Sequence, residues 1–359
     1  MGLFSKSKGL IGLDIGSSAI KVVELGGDGG KRGYNLLNFG MVPLPPEAIV
    51  DGALMNATVI AEAIGELISS HKIKTKDVAS AVSGHSVIIK KISLPSMTDE
   101  ELEESIQWEA EQYIPFDIND VHIDVQRLSP QANESGQMDV LLVAAKKDMI
   151  NDYTAVISEA GLNPVVMDVA GFAVQNQYEL NYEVVPGETV VLVNIGASIV
   201  NINIVKGDIT SFTRDVSMGG NQFTEEIQKQ LNVSYEEAEA LKLGGDMGSE
   251  SQAVVPQEVE GIIASVSENL AAEIQRSLDF YAATAAEDHI TKIYLSGGSA
   301  KVPGLARVFE ARTNIPVEIM HPFTNVSFNE RQFKPNELVD LSPMAAVGVG
   351  LAMRRVGDR

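Results

Sequence analysis

Two stretches of the chain carry the same alternation of apolar and polar positions. Leu10-Ile-Gly-Leu-Asp-Ile-Gly-Ser-Ser-Ala-Ile-Lys-Val-Val-Glu-Leu25 aligns without gaps on Val190-Val-Leu-Val-Asn-Ile-Gly-Ala-Ser-Ile-Val-Asn-Ile-Asn-Ile-Val205, so that Asn194 stands 180 positions after Asp14. Each is an apolar β-rich run, then Asp or Asn, Ile, Gly and two small residues, then a second β-rich run. That pattern predicts a hairpin with a tight glycine turn. Two such hairpins, one opening each half, predict a duplicated architecture with a cleft between the halves.

Between the hairpins, Thr58 to Ser70 places Val59, Ala63, Ile64, Leu67 and Ile68 on one stripe and predicts an amphipathic helix. A small α/β unit follows, with strands at Val78 to Ser83 and Val87 to Leu94, a helix at Thr98 to Tyr113, and strands at Val121 to Leu128 and Val140 to Ala145. Thr98 and Glu101 have the spacing of a capping box, and Leu102, Ile106, Ala110 and Tyr113 form the buried stripe, stopped by Pro115. Trp108 lies off that stripe and is a candidate partner-binding residue. Asp148 to Glu159 predicts another helix, stopped by Gly161. In the second half, two short helices (Asn221 to Leu231, Ser234 to Lys242) follow a Gly219-Gly220 turn. A loop from Gly244 to Pro256 leads to a long helix from about Val259 to Ala285, with Ile262, Val266, Leu270, Ile274 and Leu278 at helical spacing. A strand and glycine turn at Thr291 to Leu305 and a small-residue helix at Pro343 to Met353 complete the pattern.

With 45% hydrophobic residues the chain buries a large core, and 359 residues predict about two domains. The net charge of −22 argues against nucleic acid and against direct adsorption to anionic lipid, both of which need clustered Lys and Arg. The absence of cysteine excludes disulfides and thiol chemistry, and the five histidines have no metal-ligand spacing. The Met1 to Lys8 start fits neither a signal peptide nor a myristoylation site, and no stretch is apolar enough to span a membrane. The chain reads as a soluble cytosolic protein.

Against that acidic background, an anion must be held by a local field. Polyphosphate binding needs backbone N–H groups in glycine turns and a carboxylate that reaches a bound Mg2+, often through water. Asp14, Gly16, Ser17 and Ser18 supply a carboxylate, a turn and two hydroxyls, and Asn194, Gly196, Ala197 and Ser198 supply an opposing turn. A third glycine turn, Ser296-Gly297-Gly298-Ser299, follows an apolar strand and lets a flat base pack on backbone.

The order D-x-G-S-S, N-x-G-A-S, S-G-G-S-x-x-x-P-G resembles the actin-like ATPase superfamily, which includes actin, the heat-shock 70 chaperones, sugar kinases and the division protein FtsA. Met1-Gly-Leu-Phe4, Ile11-Gly-Leu-Asp14, Leu44-Pro-Pro46, Glu109-Ala-Glu-Gln-Tyr-Ile-Pro-Phe116 and Met167-Asp168-Val169 sharpen this. Together they are similar to the PilM family of type IV pilus assembly proteins, over essentially the whole chain. The resemblance implies an α/β, two-lobed actin-like ATPase fold, a duplicated ribonuclease-H-like core with an inserted FtsA-like 1C subdomain. Lobe 1 would comprise 1–77 and 146–185, the insert 78–145, and lobe 2 186–359, with its 2B part at about 216–290.

The resemblance also implies ATP and Mg2+ as cofactors. Asp14 would be the Mg2+-linked catalytic carboxylate, Gly16, Ser17 and Ser18 the first phosphate loop, and Lys21 a phosphate contact. Asn194, Gly196, Ala197 and Ser198 would form the second loop, Gly219 and Gly220 would add a helix N-terminus, and Glu239 with Lys242 would face the ribose and base. Gly297, Gly298 and Ser299 would meet the adenosine, and Asp168 is a candidate for positioning water. Asn194 stands where the family's second loop usually begins with Asp, so hydrolysis is expected to be weak. The implied partners are the cytoplasmic N-terminal tail of PilN and other pilus inner-membrane assembly proteins. The acidic helix carrying Asp99, Glu100, Glu101, Glu103, Glu104, Glu109 and Glu111 could steer such a tail. The Arg354 to Arg359 end is too short for FtsA's membrane-targeting helix, so recruitment to the inner membrane is expected through a partner, without direct insertion. A small-molecule kinase on the same fold and a nucleotide-independent peptide scaffold stay open as alternatives, as does a homo-oligomer.

Overall fold

The computed structural model describes residues 9–27, 29, 33–128, 136–244, 255–285 and 288–358. The Met1 to Lys8 start and positions 245–254 of the Gly244 to Pro256 loop lie outside them. The first hairpin forms where its pattern predicts, from β1 (Ile11–Ile15) and β2 (Ala19–Gly27), closed by the Gly16 N–H donating to the Ala19 carbonyl. β3 (Tyr34–Pro43) continues the meander, and a short ribbon of β4 (Ile49–Val50) and β5 (Ala53–Leu54) leads to α1 (Ala57–Ser70). The Asn56 side chain caps α1 by accepting from the Val59 N–H, and the helix buries Ile60, Ile64, Leu67 and Ile68 on the sheet.

β6 (Asp77–Val82) then enters the sheet parallel to β1. Val78 and Ala79 are both fully buried, as a central strand covered on both faces requires. The separate unit therefore begins after β6 and not at residue 78. It comprises β7 (Val87–Pro95), α2 (Asp99–Ala110), β8 (Val121–Arg127) and β9 (Gln137–Lys146), in sheet order β7-β9-β8. The capping box on α2 is present in both directions, Glu101 N–H to Thr98 Oγ1 at 3.2 Å and Thr98 N–H to Glu101 Oε2 at 2.8 Å. The unit has its own core, in which Leu102, Ile106 and Ala110 meet Leu94, Met138, Val140 and Leu142. α2 stops at Ala110, short of Tyr113: the Ala110 carbonyl accepts from both the Tyr113 and Ile114 N–H groups in a closing turn, and Pro115 follows.

α3 (Lys147–Glu159) returns to lobe 1, β10 (Asn163–Val169) adds parallel to β6, and α4 (Ala170–Asn181) crosses to the second half. There β11 (Thr189–Ile195), β12 (Val200–Lys206) and β13 (Ile209–Val216) repeat the meander. α5 (Gly220–Leu231), α6 (Tyr235–Lys242) and α7 (Val255–Thr284) follow, then β14 (Ile290–Ser296), α8 (Leu305–Thr313) and β15 (Val317–Ile319). The two sheets have the same topology. β10-β6-β1-β2-β3 and β15-β14-β11-β12-β13 correspond strand for strand, so the duplication read from two hairpins extends to whole lobes.

The chain does not end in lobe 2. β16 (Val326–Phe328) pairs parallel with β3 as the edge of the first sheet, and α9 (Pro335–Leu341) and α10 (Ala346–Ala352) follow. α10 packs on β1 and α4, so residues 326–352 belong with lobe 1. Small residues make this possible: a Cβ at Gly350 would overlap the Ala173 carbonyl oxygen, and one at Gly12 would overlap that of Gly348. A distant C-terminal segment docks by backbone proximity, which hydrophobic periodicity does not report.

Candidate functional site

The ends of β1 and β11 face one cleft. In the first hairpin Asp14 stands directly opposite Lys21, and Lys21 Nζ lies 3.1 Å from Asp14 Oδ2 with both side chains mostly shielded from water. In the second, Asn194 stands opposite Asn201 at the equivalent register. There an amide pair replaces the ion pair, with Asn194 Nδ2 donating to Asn201 Oδ1 at 2.9 Å. Behind it, Asn201 Nδ2 donates to Asp215 Oδ1 at 2.8 Å, and in front the Ser296 hydroxyl donates to Asn194 Oδ1 at 3.3 Å. Burial pushes the Asp215 carboxyl above the usual range, opposed by the bonds from Asn201 and the Gly84 N–H and by the nearby His85.

Asp14, Gly16, Ser17, Ser18, Lys21, Asn194, Gly196, Ala197, Ser198, Gly297 and Gly298 all line the cleft. Gly297 has φ 88°, and its N–H donates to the Pro343 carbonyl at 2.8 Å, which holds the third turn against the segment leading to α10. The sequence reading missed several lining residues, among them Gly52, Ser83, Tyr153, Asn201, Met344 and Val347. Tyr153 donates to the Gly52 carbonyl, and burial, with the Asp14 charge, pushes its hydroxyl up to about 12. No local motif marks it, because it reaches the cleft from the middle of α3. Among the described residues no group of three or more His, Cys, Asp or Glu could hold a metal ion by itself. The cleft's donor set, one carboxylate beside a lysine and three glycine turns, fits a cation that arrives with a polyphosphate.

Other expected site residues serve the cleft from behind. The Gly220 and Asn221 N–H groups donate to the Gly196 and Ala197 carbonyls at 2.9 and 2.8 Å, so the start of α5 braces the second hairpin and these donors do not point at an anion. A Cβ at Gly219 would come within 2.6 Å of the Ala197 carbonyl oxygen, which explains the glycine. The Ser299 hydroxyl donates to the Gly196 carbonyl at 3.1 Å and does not line the cleft. Lys242 is buried, bonded to Glu239 and, at 3.1 Å, to the Thr224 hydroxyl. That cluster ties α6 to α5 and is absent from the cleft lining.

Asp168 is also elsewhere. Its Oδ1 accepts the Val169 N–H at 2.7 Å, and Arg354 Nη1 stands 3.3 Å from Oδ2, an ion pair by distance but not aligned as a hydrogen bond. The pair clamps Arg354, two residues past α10, to the end of β10, so Asp168 has a structural partner where a water-positioning role was expected. Trp108 projects from α2 with 80% of its surface exposed.

Comparison with known proteins agrees with this geometry. The family model described as type IV pilus assembly protein PilM matches residues 12–356. Among solved structures, a PilM-PilN type IV pilus biogenesis complex is similar at 30% identity and a TM-score of 0.84, covering 97% of this chain and 99% of that one. Ethanolamine utilization protein EutJ from Carboxydothermus hydrogenoformans is similar at 13% identity and a TM-score of 0.57, covering 96% and 89% of the respective chains. MreB 5 of Spiroplasma citri bound to AMPPNP is similar at 12% identity and a TM-score of 0.50, covering 95% and 94%. The last two share the fold alone, which is the two-lobed actin-like one. The duplicated sheets, the facing hairpins and a family match over nearly the whole length lead to one assignment: the chain belongs to the PilM family of type IV pilus assembly proteins.

Proposed function

We propose that this protein is an ATP-binding adaptor of the pilus machinery, whose lobes close on Mg-ATP and whose nucleotide state biases its affinity for the cytoplasmic N-terminal tail of PilN. The observation that carries the reading is the convergence of two equivalent hairpins and the Gly297-Gly298 turn on one cleft. Asp14 would hold Mg2+ through water, and the turns at Gly16 to Ser18 and Gly196 to Ser198 would cradle the phosphates. Gly297 and Gly298 would pack on the adenosine. Bound Mg2+ supplies charge neutralisation at the phosphate oxygens. Lys21, now paired with Asp14, would share its charge with the phosphates.

Asn194 puts an amide where a carboxylate could orient an attacking water, so turnover is slow and the nucleotide acts as a conformational ligand. The PilM of the similar complex is assembled with PilN, and the three-stranded unit with its acidic α2 and exposed Trp108 offers a surface for such a tail here. Among the described residues no helix is long and apolar enough to cross a membrane, and in this reading the protein reaches the inner membrane through that partner.

Calorimetric titration of nucleotide-stripped protein with Mg-ATP tests the reading, beside Asp14→Ala and with a synthetic PilN tail peptide. Binding by the parent, weakened at least about tenfold in Asp14→Ala and altered by the peptide, is expected from loss of a charged ligand contact. No binding of Mg-ATP with or without peptide would establish a nucleotide-independent scaffold instead.

A further inference from the structure

An ionised carboxylate can only accept hydrogen bonds, and that property sets a direction along the second hairpin. Asp215 Oδ1 accepts from Asn201 Nδ2, so the Asn201 oxygen must face Asn194 and accept from its Nδ2. Asn194 Oδ1 is thereby turned toward the Ser296 hydroxyl. The one amide hydrogen of Asn194 that remains is left for the cleft, which Asn194 lines. The other oxygen of Asp215 is engaged in a different part of the molecule. Its Oδ2 accepts the Gly84 N–H at 2.5 Å, in the loop between β6 and β7 that forms the root of the three-stranded unit. Next to it His85 Nε2 meets the Ser217 hydroxyl at 2.7 Å, and a Cβ at Gly84 would come within 3.0 Å of Ile199 Cδ1 in the turn of the second hairpin. Two bonds accepted by one side chain therefore join β12 of the second hairpin to the loop that leads into the inserted unit.

We propose that Asp215 is a positioning residue with two effects. It fixes Asn194 as an N–H donor toward the anionic oxygens of a terminal phosphate, and it couples that contact to the root of the three-stranded unit. The proposal rests on the nucleotide-binding reading above. It assigns the two hairpins different chemistry: the first meets the metal side of a metal–phosphate ligand through Asp14, the second meets phosphate oxygen through an amide. Asn194 in this chain is then a functional part, since an acceptor there would repel the phosphate unless a second cation intervened. A ligand that pulls on the Asn194 amide strains the bond to Asn201, and through Asp215 the strain reaches Gly84 and β7.

The test is Asp215→Asn, which keeps the shape but can donate as well as accept, so the direction of the amide chain is no longer enforced. Mg-ATP affinity is measured by calorimetry with and without the synthetic PilN tail peptide, beside thermal unfolding. The expected result is Mg-ATP binding about tenfold weaker, consistent with a lost hydrogen bond to a charged group. The factor by which peptide changes ATP affinity, about fivefold or more in the parent if the sites are allosterically linked, falls to near one in the variant. The melting temperature falls, because an amide has one acceptor oxygen for the two donors that Asp215 now satisfies, while peptide affinity without nucleotide stays at the parent value, which a merely structural role would not allow. Asn201→Leu breaks the same chain one link away and carries the comparison if Asp215→Asn does not fold. A variant that binds Mg-ATP and couples to the peptide as the parent does overturns the role of Asp215. A parent that binds no Mg-ATP overturns the underlying nucleotide reading, a distinct outcome.

Discussion

Replacing Arg354 by alanine tests how the C-terminal segment is held on lobe 1. The Asp168 side chain is 7% exposed and Arg354 stands 3.3 Å from Oδ2. Removing the guanidinium leaves a carboxylate in a low-dielectric site with a single backbone donor, and breaking a buried pair by deleting one partner costs about 3–5 kcal/mol. Burial already holds the Asp168 carboxyl above its unfolded value of 3.8, with Asp358 adding to the rise, and Arg354 is the main opposing influence. Loss of Arg354 raises it further. A carboxylate raised in the folded state binds its proton more tightly there, so stability is lost as pH rises from 3.8 through the folded value. The deficit of Arg354→Ala should therefore be largest at neutral pH and shrink as pH falls through that window. The double variant Arg354→Ala with Asp168→Asn removes the stranded charge and should recover most of the loss. Urea unfolding followed by circular dichroism at several pH values measures all of this, and Mg-ATP titration of the double variant separates a structural role from one in nucleotide binding. A loss below about 1 kcal/mol at pH 7, in the range of exposed pairs, would refute the buried-pair account. Loss of Mg-ATP binding in a folded double variant would return Asp168 to the site.

Gly350→Ala places a methyl group into the Ala173 carbonyl, where both backbones are helical and neither can yield locally. It should cost about 3 kcal/mol or more in chemical denaturation, at the upper end of overpacking effects. Thr98→Ala removes the capping box of α2 and should destabilise the three-stranded unit by about 1 kcal/mol, read as faster amide hydrogen exchange confined to β7, β8, β9 and α2. Mg-ATP affinity of that variant should match the parent.

Local pattern reaches far in this protein. Asp14 and Asn194 announce their hairpins because a strand, a glycine turn and a returning strand are contiguous, and their register across the turn follows from turn length. Thr98 and Glu101 announce the start of α2 because a capping box satisfies backbone donors within four residues. The duplication was legible for the same reason, since two local motifs at a fixed offset imply two copies of the unit around them. The insert was legible as an α/β unit, but its boundary was not. Val78 to Ser83 read as one more short apolar strand, and only its pairing between β1 and β10 places it in the large sheet.

What tertiary structure decided are the contacts between residues far apart in sequence. Asp168 next to a strand end looks the same whether it faces a nucleotide or Arg354, 186 positions later. Lys242 on an amphipathic helix looks like a surface charge until α5 covers it. Gly219 and Gly220 look like an open helix start, yet the Gly220 and Asn221 donors are consumed by the carbonyls of the second hairpin. Asp215 carries no motif at all, and its role arises because β12 and β13 bring it beside Asn201 while the lobes bring it beside Gly84. By itself the sequence determined which segments fold into which elements and which glycine turns line the cleft, since backbone sterics, capping and alternation act over a few residues. The fold alone decided which charges are paired and which backbone donors remain free, because those depend on the low-dielectric contacts that form only when the lobes and the C-terminal segment close on one another.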